Sequence, residues 1–402
     1  MDALADTQRS RLILVARAQQ TSLREVARTH EELTAIGLTK QFLVINGLMP
    51  KAEAALDSLA ATIFQREQNA LAAMPEILSL LPSDHITLKP FNLVGLTALR
   101  KFLIDTPLIE SNKNCIHRAI VFPNLSDLID EIAKDECGLI MLMGKGSVGK
   151  TTLAAAIAVN LAYRGLPVHL TTSDPAAHLN ETLNGAMENM TVDRIDPHIE
   201  TERYRQRIME TRGIHLDAQG RALLEEDLRS PCTEEIAVFQ AFSRVIREGS
   251  KKFVVMDTAP TGHTLLLLDA TGAYHREVIK KMDKSITNYS TPMMQLQNPN
   301  KTKILLVTLA ETTPVMEAAN LQADLRRAGI DPWAWIINNS VAAATLHSPL
   351  LCQRAHNELT DIETVSTNYT KRYAVVPLLK DEPVGIQKLI ELSRCNQSQM
   401  KH

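Results

Sequence analysis

The stretch Leu139–Thr151 reads LIMLMGKGSVGKT and decides the fold. Its first five residues are apolar without a break, as in a strand that is buried on both faces of a parallel sheet. The next eight residues fit the pattern GxxxxGK[ST], and an alanine-rich segment with helical spacing follows at once. A strand, a glycine-rich turn and a helix in this order predict a loop whose backbone N–H groups converge on phosphate oxygens.

The residue types in this phosphate loop predict ATP and Mg²⁺ as its ligands. We expect the Lys150 ammonium group to neutralise the β- and γ-phosphates and the Thr151 hydroxyl to bind Mg²⁺. The residues expected to contact the nucleotide are consecutive: Gly144, Lys145, Gly146, Ser147, Val148, Gly149, Lys150, Thr151 and Thr152. An alternative interpretation is a glycine-rich turn between strand and helix that binds no ligand.

Two acidic residues stand where predicted strands end. Asp174 follows Thr171-Thr172-Ser173, and Asp257 follows a run of four apolar residues. Because ligands bind at the carboxyl edge of such sheets, we expect Asp174 to orient or deprotonate the attacking water and Asp257 to join the magnesium shell. Capping of the next turn is the alternative for Asp174. His263 lies in a loop expected to move when the γ-phosphate is lost.

The pattern along the chain alternates between strands and helices. Short apolar runs predict strands at Leu139–Met143, Val168–Thr171, Phe253–Met256, Ile304–Val307, Trp333–Ile337 and Tyr373–Val376. Helices are predicted between them at Thr151–Arg164, Thr233–Glu248 and Val315–Ala328, each closed by a glycine. This alternation predicts an α/β fold with a doubly wound, mostly parallel sheet.

Residues near the start of the chain repeat residues near its end. Arg11–Gly47 aligns with Lys303–Asn339 at an almost constant offset, and Val94-Gly95 later aligns with Val384-Gly385. The recurring residues are Val15, Glu25, Ala27, Leu33, Gly37, Ile45 and Asn46, matched by Val307, Glu317, Ala319, Leu325, Gly329, Ile337 and Asn338. We therefore predict three parts: a truncated carboxyl-terminal part of a first copy over residues 1–104, a linker over residues 105–136, and a complete P-loop domain over residues 137–402.

Composition narrows the classes of function. A net charge of −3 offers no general attraction for nucleic acid, so we expect no nucleic-acid partner. The five cysteines lie far apart without a CxxC pair, which favours a reducing compartment. No run of about eighteen apolar residues occurs, and the amino terminus lacks a leader pattern. The sequence therefore predicts a cytoplasmic protein without a membrane span.

Four segments together resemble the arsenical pump-driving ATPase family: GKGSVGKT, TTSDPAAHL, SPCTEEIAVFQAF and DTAPTGHTLLLLD. The resemblance implies a SIMIBI-type P-loop NTPase with a deviant Walker A loop. It further implies two homologous halves whose ATP hydrolysis drives arsenite and antimonite export through a membrane permease. On this resemblance the chain comprises the tail of the first half and the complete second half.

The resemblance also implies roles for individual residues. Lys145 is similar to a signature lysine that contacts nucleotide across the interface between halves; otherwise it is an exposed loop lysine. Asn338 resembles an asparagine that reads adenine, and the loop after Pro377 resembles a segment that lines the base. A strand-end turn is the alternative for Asn338. Cys232 and His263 resemble residues that bind or sense arsenite or antimonite as an allosteric ligand; a buried thiol and a hydrogen-bonded histidine are the alternatives.

The expected partners follow from the same resemblance. They are a membrane arsenite permease that holds the protein at the membrane periphery, a second copy of this chain or a separately encoded first-half fragment, and a metallochaperone. Ser147 departs from the family, which has glycine there. Two other functions stay open: a tail-anchored membrane-protein targeting ATPase, for which Met282, Met293 and Met294 hint at an apolar groove, and a non-catalytic remnant.

Overall fold

The computed structural model describes residue 4 and residues 6–102, 117–174, 179–259 and 291–394. These residues form two compact units. The first unit takes its described residues from Met1–Ile120, Val341–Thr360 and Pro377–Glu382, and the second takes them from Val121–Ser340, Asp361–Val376 and Pro383–His402. Strands and helices are numbered below through the described residues.

The first unit is built on a three-stranded parallel sheet in the order β1-β2-β3. Its elements are β1 (Leu12–Ala16), α1 (Gln20–Ala35), β2 (Gln41–Leu48), α2 (Lys51–Ala54), α3 (Ser58–Ala72), α4 (Glu76–Ser79), β3 (Ser83–Thr87) and α5 (Gly95–Phe102). Its core gathers apolar side chains of β1, β2, α1 and α4, among them Leu14, Leu23, Leu43, Ile45 and Leu78. One face of the sheet therefore packs on helices, as the alternating burial of β2 requires.

The second unit contains the phosphate loop. Its elements from Leu125 to Asp257 are α6 (Leu125–Ile132), β4 (Gly138–Met143), α7 (Lys150–Tyr163), β5 (Val168–Thr172), α8 (Leu179–Leu183), β6 (Met190–Arg194), α9 (Pro197–Thr211), α10 (Ala218–Asp227), α11 (Pro231–Glu248) and β7 (Phe253–Asp257). The later elements are α12 (Pro292–Leu296), β8 (Thr302–Leu309), α13 (Thr312–Arg327), β9 (Ala334–Ser340), α14 (Pro349–Thr364), β10 (Tyr373–Pro377) and α15 (Ile386–Arg394), of which α14 begins in the first unit.

Seven strands form one sheet in the order β10-β9-β8-β4-β7-β5-β6. The pairs that join β9, β8, β4, β7, β5 and β6 are all parallel. Every residue of β4, β5 and β7 is buried, so both faces of the sheet are covered along these strands. The predicted α/β fold with a parallel sheet is confirmed, and the strand that leads into the phosphate loop lies at its centre.

The predicted strands and helices of the second unit agree with the observed ones to within a few residues. The edge strand β6 was not predicted from the sequence. Its residues MTVDR are partly or fully exposed, so they lack the continuous apolar run by which the central strands are recognised. Helix α6 falls inside the stretch predicted as a linker, yet it buries Leu125, Leu128, Ile129 and Ile132. The predicted domain boundaries stay a prediction.

The internal repeat recurs in the local geometry. The order β1, α1, β2 matches β8, α13, β9, and both helices are followed by a glycine with positive φ, +89° at Gly37 and +74° at Gly329. In each case the next backbone N–H donates to a carbonyl five residues earlier, at 3.0 and 2.9 Å, which closes the helix in the same way. The aligned Gly95 and Gly385 also share positive φ values, +83° and +94°. The two aligned segments therefore share turns as well as sequence.

Candidate nucleotide-binding site

Two glycines of the phosphate loop are required by close packing. Gly144 has a φ of +155°, and a Cβ atom there would lie 2.3 Å from the carbonyl oxygen of Val307 on β8. Gly149 has a φ of +93°, and a Cβ atom there would lie 2.2 Å from Nδ2 of Asn338 on β9. A side chain at Gly144 would displace the loop from β8, because real Cβ atoms do not approach a backbone oxygen this closely. A side chain at Gly149 would displace the Asn338 side chain and would be strained by the positive φ.

Ser147 occupies the exposed tip of the loop with a φ of +64°. This left-handed conformation places Cβ close to the backbone, and glycine avoids that contact. Glycine, which the resemblance leads us to expect at this position, is therefore the residue that the backbone geometry favours. Ser147 keeps the conformation at a cost in conformational energy.

Lys150 begins helix α7 and is 6% exposed. Its Nζ atom donates hydrogen bonds to the carbonyl oxygens of Gly144, at 3.2 Å, and Lys145, at 2.9 Å. Burial lowers the pKa of Lys150 below its usual value, while the nearby carboxylates of Asp257 and Asp174 act to raise it. The loop thus folds around a buried ammonium group, which is the arrangement that neutralises phosphate charge.

The Asp257 carboxylate lies at the end of β7 and is fully buried. Its Oδ2 atom accepts hydrogen bonds from the hydroxyls of Thr151, at 2.7 Å, and Thr172, at 3.2 Å. Burial raises the pKa of Asp257 to about 6, although both hydroxyls and the charge of Lys150 act to lower it. Among the described residues, its Oδ1 atom has no hydrogen-bond partner.

The oxygen atoms of Asp257 and Thr151, at the carboxyl edge of the sheet, are suitable ligands for a magnesium ion. Hard divalent cations take oxygen ligands, and Asp257 and Thr151 present a carboxylate and a hydroxyl side by side. The unsatisfied Oδ1 atom is a buried acceptor that a cation or its water would satisfy. The described parts of the chain contain no group of three His, Cys, Asp or Glu side chains that could hold a metal ion.

Asp174 follows β5 at the same edge of the sheet. The register pairs Thr172, the last residue of β5, with Asp257 on β7, and the Thr172 hydroxyl accepts the backbone N–H of Asp174 at 3.0 Å. Asp174 is half-buried, and its charge acts on the pKa values of Lys150 and Asp257. The structure therefore brings both predicted acids to the carboxyl edge of the sheet, beside Lys150.

Lys145 forms an ion pair that the sequence did not suggest. Its Nζ atom lies 2.8 Å from Oε1 of Glu317 on α13, and both side chains are partly exposed. Glu317 aligns with Glu25 in the internal repeat. That recurrence was the feature of the sequence from which Glu317 could have been recognised as a candidate site residue. Thr172 is the other contributor to which the sequence assigned no role, although it belongs to the segment quoted before Asp174.

Asn338 is buried near the end of β9, and its Nδ2 atom donates a hydrogen bond to the carbonyl oxygen of Val148 at 2.9 Å. Pro377 is the last residue of β10, the strand beside β9. Cys232 lies at the second position of α11, and its side chain is not among those described. His263 lies outside the described residues. The roles of these four residues stay predictions.

The fold and the loop define a class of protein. Parallel α/β folds in which the central strand runs through GxxxxGK[ST] into a helix are P-loop NTPases, and this chain has that arrangement. In the described parts of the chain, no helix is both long enough and apolar enough to cross a membrane.

Comparison with known proteins identifies the family. The sequence profile of the anion-transporting ATPase family matches residues 1–105, 137–272 and 267–396. An arsenical pump-driving ATPase of Acidiphilium multivorum is 64% identical over 395 residues, which are 98% of this chain and 67% of that protein. One from Escherichia coli is 63% identical over 394 residues, with the same shares. The chain belongs to this family of ATPases, and the resemblance in the sequence motifs is confirmed.

A more distant similarity also covers much of the chain. ATPase GET3 of Malassezia globosa is 26% identical over 329 residues, which are 67% of this chain and 93% of that protein. The far higher identity to the arsenical pump-driving ATPases places this chain with them inside the family.

Replacing Ser147 by glycine should stabilise the protein by about 0.5–1 kcal/mol, because glycine relieves the left-handed strain. Urea unfolding followed by circular dichroism measures the change. Ser126→Gly in the first turn of α6 is the matched control and should destabilise by up to about 0.5 kcal/mol, since glycine is less favourable than serine in a helix. A Ser147→Gly protein less stable than wild type would contradict this account of the loop.

Replacing Asp257 by asparagine should stabilise the magnesium-free protein above pH 6, because a buried charge is removed. The folded-state pKa of Asp257 is about 6 and the usual value is 3.8. The free energy of unfolding of wild type therefore falls by up to about 3 kcal/mol as pH rises through this interval. The gain from Asp257→Asn should therefore be largest near pH 8 and vanish near pH 4.

Urea unfolding without magnesium or nucleotide, at pH 4, 6 and 8, measures this difference. Asp331→Asn, which changes a carboxylate that is 75% exposed, is the control, because it removes no buried charge. An Asp257→Asn protein that is less stable than wild type at pH 8 would show that the carboxylate is not under strain.

Proposed function

We propose that this chain binds ATP with Mg²⁺ at the phosphate loop and hydrolyses it to drive the export of arsenite or antimonite through a membrane permease. The observation that carries the proposal is the group formed by the buried Lys150 and Asp257 with the half-buried Thr151 at the end of the central strand. Identity of 64% to an arsenical pump-driving ATPase over 98% of the chain supports the substrate class. On this proposal the protein works at the cytoplasmic face of the membrane, beside its permease.

Each residue has a task in the proposed reaction. Backbone N–H groups of the loop and the amino-terminal end of α7 would hold the β- and γ-phosphates, and Lys150 would offset their charge. Thr151 and Asp257 would hold the magnesium ion, which supplies further neutralisation of phosphate charge when bound. Asp174, at the end of β5, would orient the attacking water or accept its proton.

The metalloid part of the proposal rests on Cys232 and His263. Arsenite and antimonite are soft and bind thiolates in preference to oxygen ligands. Cys232 stands at the start of α11, the helix that leads directly into β7 and Asp257. We expect occupation of a thiolate at Cys232 to change the rate of ATP hydrolysis through α11 and β7, the segment that joins Cys232 to Asp257. A metallochaperone, a second copy of this chain, or a separate first-half polypeptide would complete the assembly.

The decisive experiment measures ATP hydrolysis by the purified chain with and without arsenite. We expect magnesium-dependent hydrolysis that arsenite stimulates, and loss of at least about 100-fold in Lys150→Ala, because a transition-state contact is removed. Lys371→Ala changes an exposed lysine and should leave the rate unchanged. Cys232→Ser should keep basal hydrolysis and lose the stimulation.

Three results would go against the proposal. Absence of both ATP binding and hydrolysis would favour the non-catalytic interpretation. An equal fall in the rate of ATP hydrolysis in Lys150→Ala and Lys371→Ala would show that Lys150 of the phosphate loop has no specific role in the reaction. Hydrolysis that arsenite and antimonite leave unchanged, in wild type and in Cys232→Ser alike, would separate the ATPase from metalloid export.

The ion pair between Lys145 and Glu317 predicts a further effect. If Lys145 is to contact a nucleotide, its Nζ atom must leave the Glu317 carboxylate. A partly exposed pair is worth up to about 1 kcal/mol, so Glu317→Gln should raise kcat/KM for ATP by up to about fivefold at low salt. Salt screens the pair, and the gain should shrink at high ionic strength.

Asp324→Asn is the matched control, because Asp324 pairs with Arg327 on the same helix and does not contact Lys145. It should leave kcat/KM unchanged at both ionic strengths. A fall in kcat/KM in Glu317→Gln would mean instead that Glu317 holds Lys145 in its working position.

A further inference from the structure

The contact between Asn338 and the phosphate loop is directed at one peptide group. The Nδ2 atom of Asn338 donates to the carbonyl oxygen of Val148, and the same atom would lie 2.2 Å from a Cβ atom at Gly149. The side chain of Asn338 therefore lies against the peptide that joins Val148 to Gly149. Asn338 is 6% exposed, so this hydrogen bond is made away from bulk water.

In a planar trans peptide, a hydrogen bond that fixes the direction of the C=O group also fixes the direction of the N–H group. The C=O and N–H bonds of such a peptide point in opposite directions across its plane. With the carbonyl of Val148 held against Asn338, the N–H of Gly149 must point away from β9. Gly149 is the last residue before α7, where loop N–H groups serve as donors to phosphate.

This peptide needs an external restraint. Glycine suits position 149 because φ there is +93° and a Cβ atom would meet the Asn338 side chain, and glycine also has the greatest backbone freedom of all residues. A loop with that freedom could rotate the peptide and turn its N–H away from the phosphates. A buried hydrogen bond from a strand of the sheet removes this freedom before any ligand arrives, which is the meaning of preorganisation.

We propose that Asn338 is a positioning residue for the phosphate loop, which fixes the Val148–Gly149 peptide so that the Gly149 N–H donates to a phosphate oxygen. This inference rests on the proposed binding of ATP at the loop. It differs from the expectation that Asn338 reads adenine, because a residue that acts through the loop affects every triphosphate, whatever its base.

The test compares ligands that share the triphosphate and differ in the base. Displacement of a fluorescent ATP analogue by ATP, GTP and inorganic tripolyphosphate gives three affinities for each protein. Asn338→Ala and Asn338→Leu both remove the donor, and leucine keeps the branching at Cγ. We expect affinity to fall about tenfold for all three ligands, the effect of one hydrogen bond to a charged group.

Asn339→Gly is the matched control. Asn339 is the exposed neighbour with a φ of +55°, which glycine accepts without strain, so all three affinities should stay as in wild type. If the Asn338 variants lose affinity for ATP alone and keep that for tripolyphosphate within twofold, Asn338 reads the base and the proposal is wrong. If neither wild type nor Asn339→Gly binds any of the ligands, the proposed ATP site itself fails.

A second measurement uses the unaltered sequence and does not depend on how the variants fold. Labelling valine carbonyls with ¹³C and glycine amides with ¹⁵N selects three Val–Gly peptides, at residues 94–95, 148–149 and 384–385. Val94→Ile and Val384→Ile, at two exposed positions, each remove one of the other signals, and the signal that remains belongs to Gly149. On addition of tripolyphosphate this signal should shift downfield in wild type, as expected for an amide that gains a charged acceptor. A Gly149 signal that does not move would overturn the proposal.

Discussion

The phosphate loop can close only because its backbone packs directly against two strands of the sheet. Gly144 lies against the carbonyl of Val307 on β8, and Gly149 lies against the side chain of Asn338 on β9. These strands stand next to each other on one side of β4, so the loop depends on the strand order β9-β8-β4. Since α7 begins where the loop ends, the positions of Lys150 and Thr151 depend on the same packing.

The site also concentrates buried polar groups that would be costly elsewhere. Lys150 and Asp257 are both buried. Burial lowers the pKa of Lys150 and raises the pKa of Asp257, so it favours the neutral form of each side chain. Their mutual attraction and the hydroxyls of Thr151 and Thr172 offset only part of that cost, since one oxygen of Asp257 has no partner among the described residues. Such a site sacrifices stability of the free protein for strong interaction with a charged ligand.

The internal repeat separates what the local sequence produces from what the surroundings add. Both copies form the same strand, helix and strand, and both close the helix with a glycine of positive φ. Yet Asn46 on β2 is exposed, whereas the aligned Asn338 is buried beneath the phosphate loop. Likewise Glu25 is exposed, whereas the aligned Glu317 pairs with Lys145. Equivalent residues thus acquire different surroundings, because β8 and β9 adjoin the phosphate loop of the second unit.

Local patterns were enough to predict the loop, the central strands and the parallel sheet, because unbroken apolar runs, glycines and helical spacing act over a few neighbouring residues. The edge strand β6 was not predicted, because its exposed residues do not form an unbroken apolar run. The contacts of Asn338 with Val148 and of Glu317 with Lys145 join residues 190 and 172 positions apart. Only the folded sheet decides such pairs, because the order of its strands, and not distance along the chain, sets which side chains reach the loop.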